Sequence, residues 1–184
     1  MKNFSYLVGD DGECAVVDPG FESEKVLAIA KKHELKIKFI LITHSDYDHI
    51  NEVKVLEDAT GATVIVHEED VNAITEKGVS NIKTVKDGDE FDVGGVKVKV
   101  IHTPGHTPGS VCFLVADKLI SGDTLFVENI GRTDRSFSDP EMMKESLEKL
   151  KKLDDSIEVY PGHDYGPIKS STIKHEKENN FYMG

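Results

Sequence analysis

Short apolar runs that stop at Gly, Asp, Pro or His punctuate this chain: "YLVG" and "CAVVDPG" near its start, then "KFILITH", "ATVIVH", "VKVKVIH", "SVCFLVA" and "KLISGD". Runs this short, rich in Val and Ile and bounded by turn residues, predict strands. Two longer amphipathic segments interrupt them. "SEKVLAIAKKHEL" predicts a helix with Ser23 as N-cap and Val26, Leu27, Ala30 and Leu35 on one face; "DPEMMKESLEKLKKL" predicts another, with Asp139 as cap, Pro140 in the first turn and Met143, Leu147 and Leu150 behind it. Hairpin turns are expected at "DDGE" (10–13), "KDGDE" (86–90) and "DVGG" (92–95). The order is strands, helices, more strands, then helix, strand and a helical tail, with no repeat. It argues for α/β architecture, two sheets packed together with helices on their outer faces. A chain of 184 residues suits one domain, residues 1–184, with its chemistry on loops at strand ends.

The balance of 22 basic against 34 acidic residues, a formal charge of −12, repels phosphate backbones and anionic lipid. Nucleic acid is therefore not an expected partner. No apolar run of about 18 residues is present to span a bilayer, and "MKNFSYLVGDDGE" lacks the apolar core and cleavage site of a signal peptide, so a soluble, cytoplasmic protein is expected. Cys14 and Cys112 lie inside apolar stretches and read as buried thiols.

The run "THSDYDHI" places His44, Asp46, Asp48 and His49 within six positions of a strand's end. His and Asp on strand-end loops form the donor set that suits zinc, iron or manganese. The same context recurs at His106 in "HTPGHTPGS", Asp123 in "SGDTLF" and His163 in "YPGHDYGP". An isolated strand-end His is usually a satisfied surface or core residue, but four such places in one chain outweigh that reading. His33, His67 and His175 read as solvated, and His102 as a strand-end surface residue. An EF-hand reading of "DYDHINEVKVLE" fails because Ile50 stands at the fifth position from Asp46 and the required Gly is missing.

The spacing resembles the metallo-beta-lactamase superfamily, whose signature is His-x-His-x-Asp-His followed by a lone His, a lone Asp and a final His. "YLVGDDGECAVVDPG" is similar to the opening hairpin of that fold, with Asp18 supporting the first metal loop. "IGRTDRSFSDP" and "PGHDYGPIKSSTIKHEKENNF" resemble later segments of its glyoxalase II and persulfide dioxygenase branches. The resemblance implies a four-layer αβ/βα sandwich and two divalent metal ions. His44, Asp46 and His106 would hold the first ion, Asp48, His49 and His163 the second, and Asp123 would bridge them. Arg132 and Tyr165 would contact substrate. The chain departs from the pattern at Asp46, where the family has His. A third carboxylate hardens the site and shifts preference from zinc toward iron or manganese. Asp46 is then either a direct ligand, as Glu is in flavodiiron proteins, or an acceptor one layer removed from the metal.

The leading reading is a glyoxalase II-like hydrolase of an acyl thioester, working through a dinuclear site with a bridging hydroxide that Asp48 orients. Its partner would be a small thiol-derived molecule, with a homodimer as the assembly considered. Too few residues follow His163 for the glutathione-binding C-terminal domain of full-length glyoxalase II. The alternative is a mononuclear iron persulfide dioxygenase using His44, His106 and Asp123, a two-His-one-carboxylate triad. The remaining reading is a non-catalytic or electron-transfer diiron member resembling the flavodiiron proteins.

Overall fold

A computed structural model describes residues 2–184. The chain opens with a hairpin, β1 (Tyr6–Asp10) and β2 (Glu13–Val17), then α1 (Ser23–Lys32), β3 (Lys36–Leu41), the short α2 (Tyr47–Ile50) and α3 (Val53–Thr60). β4 (Thr63–His67), α4 (Val71–Glu76) and β5 (Ile82–Val85) complete the first half. The second half runs β6 (Glu90–Val93), β7 (Val96–His102), β8 (Val111–Val115), β9 (Lys118–Gly122), β10 (Leu125–Phe126), β11 (Asn129–Ile130), α5 (Pro140–Leu150), β12 (Glu158–Pro161), β13 (Ser171–Thr172) and α6 (Ile173–Asn179). One sheet has the order β1-β2-β3-β4-β5 and the other β13-β12-β9-β8-β7-β6, with β10 and β11 as a separate ribbon.

Strand alternation sorts the apolar residues into three core layers. Cys14, Val16, Ile40, Val64 and Val66 face α1 and α3. Ala15, Val17, Leu41 and Ile65 point the other way and meet Val98, Val100, Phe113 and Ile120 of the second sheet. The opposite face of that sheet, with Ile101, Cys112, Leu119 and Val159, packs on Met143, Leu147 and Leu150 of α5 and Ile173 of α6. Four layers result: helices, sheet, sheet, helices. Side chains such as Leu41 and Phe113, with no exposed surface, each contribute roughly 1.5–3 kcal/mol by burial. The parallel strands β3 and β4 are buried on both faces, which is why they read as continuous apolar runs.

Local signals hold in most places. Asp11 and Gly12 have φ of 49° and 78°, as do Gly94 and Gly95 at 52° and 76°, the positive pair that a two-residue hairpin needs. The Asp139 side chain accepts from the backbone N–H of Glu141 and Met142 and caps α5 ahead of Pro140. Cys14 and Cys112 are buried and free.

Four expectations need correction. "KDGDE" is not a hairpin turn: β5 pairs with β4 and β6 with β7, so this turn carries the chain from the edge of one sheet to the edge of the other. An Asp-Gly turn fixes a local reversal but not the sheet that the next strand joins. Ser23 is the first residue of α1 and not its cap; Glu22 precedes it without a side-chain cap bond, and the Ser23 N–H is satisfied by Glu52 Oε2 at 2.8 Å. Leu35 lies beyond that helix, although it still packs on the same core. His67 is not solvated: it is 3% exposed and stacks on His102 with ring centroids 3.9 Å apart, and burial together with His102 holds its pKa below the ordinary value.

Candidate metal centre

All seven candidate ligands sit just beyond strand ends at one edge of the two sheets. His44, Asp46, Asp48 and His49 follow β3, His106 follows β7, Asp123 follows β9 and His163 follows β12. β9 and β12 are parallel neighbours with Gly122 opposite Pro161, so Asp123 and His163 emerge side by side. Gly162 permits this approach, since a Cβ there would stand 2.3 Å from Asp123 Oδ1 and 3.0 Å from His49 Cε1.

The ligand atoms form two trios, His44 with His106 and Asp123, and Asp48 with His49 and His163. Asp123 lies between them. Its Oδ2 is 3.9 Å from His44 Nε2, 3.8 Å from His106 Nε2 and 3.2 Å from His163 Nε2, while Oδ1 is 3.4 Å from His49 Nε2. Asp46 reaches the first trio: its Oδ2 is 3.1 Å from His106 Nε2 and 3.8 Å from His44 Nε2.

Outer hydrogen bonds fix which imidazole nitrogen is offered inward. The Thr43 hydroxyl donates to Asp18 Oδ2 at 2.6 Å, so at 3.0 Å it accepts from His44 Nδ1. His49 Nδ1 donates to the same Asp18 oxygen at 3.0 Å, and His106 Nδ1 donates to the Arg132 carbonyl at 2.9 Å. Each neutral ring therefore turns a bare Nε2 toward the centre, the tautomer a metal requires. Asp18 thus braces both His44 and His49.

The donor set fits divalent ions. His44 Nε2 and Asp123 Oδ1 are buried without a hydrogen-bond partner, a costly condition that a cation would relieve. His49 and His163 present Nε2 atoms 3.2 Å apart, close to the spacing of about 3.4 Å for two nitrogens on one tetrahedral ion. Titration behaviour follows from the crowding of charge. Burial pushes the Asp46 carboxyl upward, but the hydrogen bond from His106, the nearby His44 ring and the Arg135 ion pair outweigh it and hold the pKa far below the carboxylate range. Burial acts upward on Asp123 as well; the positive field of His44, with the bond to His163, brings it to about 2. For His49 burial acts downward, and the bond to Asp18 with the charges of Asp18, Asp123 and Asp48 raises it to about 9. Metal entry at neutral pH must therefore displace protons.

Three residues around the site carry no local sequence signal. Asp70, 5% exposed, accepts from Ser45 N at 2.8 Å and Thr107 Oγ1 at 3.0 Å with Oδ2, and from Gly109 N at 3.1 Å with Oδ1, tying the first metal loop to the loop that carries His106. Arg135 forms an ion pair with Asp46. Asn3 Nδ2 donates to Asp48 Oδ2 at 2.9 Å. The mouth is a cavity of about 390 Å³ lined in part by Phe126, Arg132, Arg135 and Tyr165. Arg132 turns its guanidinium onto Asp134 at 2.6 Å, while Tyr165 stacks on His163 at 4.6 Å and 8°. His102 lies outside this group, bonding the Pro108 carbonyl at 2.8 Å.

Residues 2–163 match the profile of the Metallo-beta-lactamase superfamily. The chain is 30% identical to the probable polyketide biosynthesis zinc-dependent hydrolase PksB of Bacillus subtilis, over 98% of its own length and 81% of that protein's. It is 38% identical to a hydroxyacylglutathione hydrolase of Hydrogenovibrio crunogenus, over 89% of its own length and 59% of that protein's. The solved structure of TTHA1623 in a di-iron-bound form superposes with a TM-score of 0.82 at 31% identity, covering 97% of this chain and 93% of the other.

Proposed function

Because this chain belongs to the metallo-beta-lactamase superfamily and is a metal-dependent hydrolase of that class, we propose that its substrate is a small acyl thioester, cleaved to a carboxylic acid and a thiol. The observation that carries this reading is Asp123 set between two complete trios, with Asp48 at the mouth. His44, His106 and Asp123, with Asp46 beside them, would hold one ion, and Asp48, His49 and His163 would share the second with Asp123. Two such ions supply a water of lowered pKa and polarise a carbonyl oxygen. Asp46 as third carboxylate favours iron or manganese over zinc in this pair.

The remaining work falls to the chain itself. Asp48 Oδ2 is held by Asn3, which leaves its second oxygen to accept the proton of the attacking water. The new C–O bond forms as the C–S bond breaks, and the proton passes to the departing sulfur. Tyr165, a phenol that is neutral at physiological pH and whose pKa burial and the charges of Asp123 and Asp48 push further up, is a hydrogen-bond donor beside the cavity. Phe126 and Ile130 supply the apolar wall that an acyl chain needs.

The test is thiol release from a panel of acyl thioesters, including hydroxyacylglutathione, with metal-loaded protein and an Asp48→Asn variant. Thiol release that falls at least about a hundredfold in the variant supports the reading. Iron-dependent oxygen consumption with a persulfide, and no thiol release from any thioester, would replace it by the dioxygenase reading, which needs only His44, His106 and Asp123.

A further inference from the structure

The two trios differ in one respect that their ligand lists hide. Asp48, the mouth-side carboxylate of the second trio, has an uncharged partner, Asn3 Nδ2 at 2.9 Å. Asp46, its counterpart beside the first trio, has a cation: Arg135 Nη1 contacts both carboxylate oxygens. Arg135 is itself held in place, its guanidinium lying 5.7 Å from the centre of the Phe137 ring, and it is 31% exposed. Among the described residues, a permanent cation thus sits against the carboxylate beside the first subsite, while no Lys or Arg pairs with Asp48 at the second.

A carboxylate engaged by a guanidinium at both oxygens must give up part of that bond before it can serve a metal ion, and the incoming dication meets a like charge within a few ångströms. Arginine cannot relieve this by losing its proton, as a lysine could. The added negative charge of Asp46 is in this way offset locally, and at the cost of affinity for a cation at His44 and His106.

We propose that Arg135 makes the metal centre unequal: it competes with the ion for Asp46, so the Asp48–His49–His163 subsite fills first and the His44–His106–Asp123 subsite fills second and more weakly. The inference rests on the metal-binding reading of the site and is independent of the thioester substrate.

The experiment is a titration of metal-stripped full-length protein with cobalt(II), in competition with a chromophoric chelator, followed by the visible spectrum of each ion as it enters. The wild type should show two dissociation constants at least about tenfold apart. Arg135→Gln, which keeps a polar side chain but removes the charge, should tighten the weaker constant about tenfold and leave the tighter one in place. Arg135→Lys, which restores the charge, should return most of the separation. Equal constants in the wild type would overturn the proposal, as would an Arg135→Gln protein whose weaker constant is unchanged or weaker still, since Arg135 would then be aiming Asp46 at the metal. The readout is metal occupancy alone, so failure here leaves the hydrolytic reading standing, and failure of every thioester leaves this result intact.

Discussion

Asp18 Oδ2 lies 3.0 Å from His49 Nδ1, a buried carboxylate against a buried imidazole. The pair raises His49 from its ordinary value near 6.5 to about 9 in the folded chain. The stabilisation it gives to metal-free protein is therefore complete below about pH 6.5 and is lost as pH rises through about 9. His106 is shifted in the same direction, against burial, chiefly by its bond to Asp46. Metal-stripped protein should lose about 6–12 °C of Tm between pH 6.5 and 9.5, from about 3 kcal/mol of linkage at ~2–4 °C per kcal/mol for a chain of this size. Differential scanning calorimetry across that range checks it, and Asp18→Asn should make the slope shallower. A slope identical to wild type would mean the proton is held elsewhere.

Asp70 holds two loops that carry candidate ligands, and its loss strands the N–H of Gly109 in a buried position and that of Ser45 in a half-buried one. Asp70→Ala is expected to cost about 2–4 kcal/mol and to lower metal content below that of the wild type. Asp70→Asn, which keeps an acceptor oxygen, should retain more of both. Thermal melts and elemental analysis on the same preparations decide the point; full metal content in Asp70→Ala would show that the loops hold themselves.

The layering of two sheets between helices and the strand-end placement of the seven candidate ligands were legible in the sequence, while their division between two ions came from the family resemblance. In β7 the buried Val98 and Val100 alternate with the exposed Lys97 and Lys99, β3 and β4 read as apolar runs, and each candidate ligand lies on the loop that follows a strand. The residues that brace the ligands were not readable. Asp70 is 25 positions from Ser45 and 37 from Thr107, and nothing in "HEEDV" marks one acid among three as buried. The segment "GRTDRSF" offers two arginines, and only the fold decides that Arg132 turns to Asp134 while Arg135 turns inward. The two-residue strands β10, β11 and β13 are too short to show any period. The stacking that buries His67 depends on a ring from the other sheet.

Gly131 passes so close to Asp123 that a Cβ would fall 1.8 Å from its carbonyl oxygen and 3.2 Å from His106 Nδ1. Gly131→Ala must push the β10–β11 ribbon away from two ligands. A loss of about 3 kcal/mol is expected, with fewer metal ions bound per chain. Chemical denaturation of the metal-free and metal-loaded forms measures both effects, and a neutral result in both would refute the close approach.

Tyr165 covers His163 face to face at 4.6 Å and also meets Phe126 edge-on at 5.5 Å. Tyr165→Ala should weaken the Asp48–His49–His163 subsite by about two- to tenfold, the value of one aromatic contact, roughly 0.5–1.5 kcal/mol. Tyr165→Phe should keep that affinity and alter only the response to substrate. Cobalt titration of the two variants separates ring from hydroxyl, and equal weakening in both would assign the effect to the hydroxyl instead.

His49 and His163 stand 114 positions apart in the chain, and Asp46 and His106 stand 60 apart. An ion shared by such residues works on the polymer as a cross-link, tying the loop after β3 of the first sheet to the loop after β12 of the second. A covalent tie closing a loop of about 100 residues is worth ~4.7 kcal/mol in lost freedom of the unfolded chain. The consequence lies in time as well as in equilibrium: a loaded chain must release its ion before its halves can part. A bare chain, by contrast, must bring its remote segments together with no knot to hold them while the rest arrives.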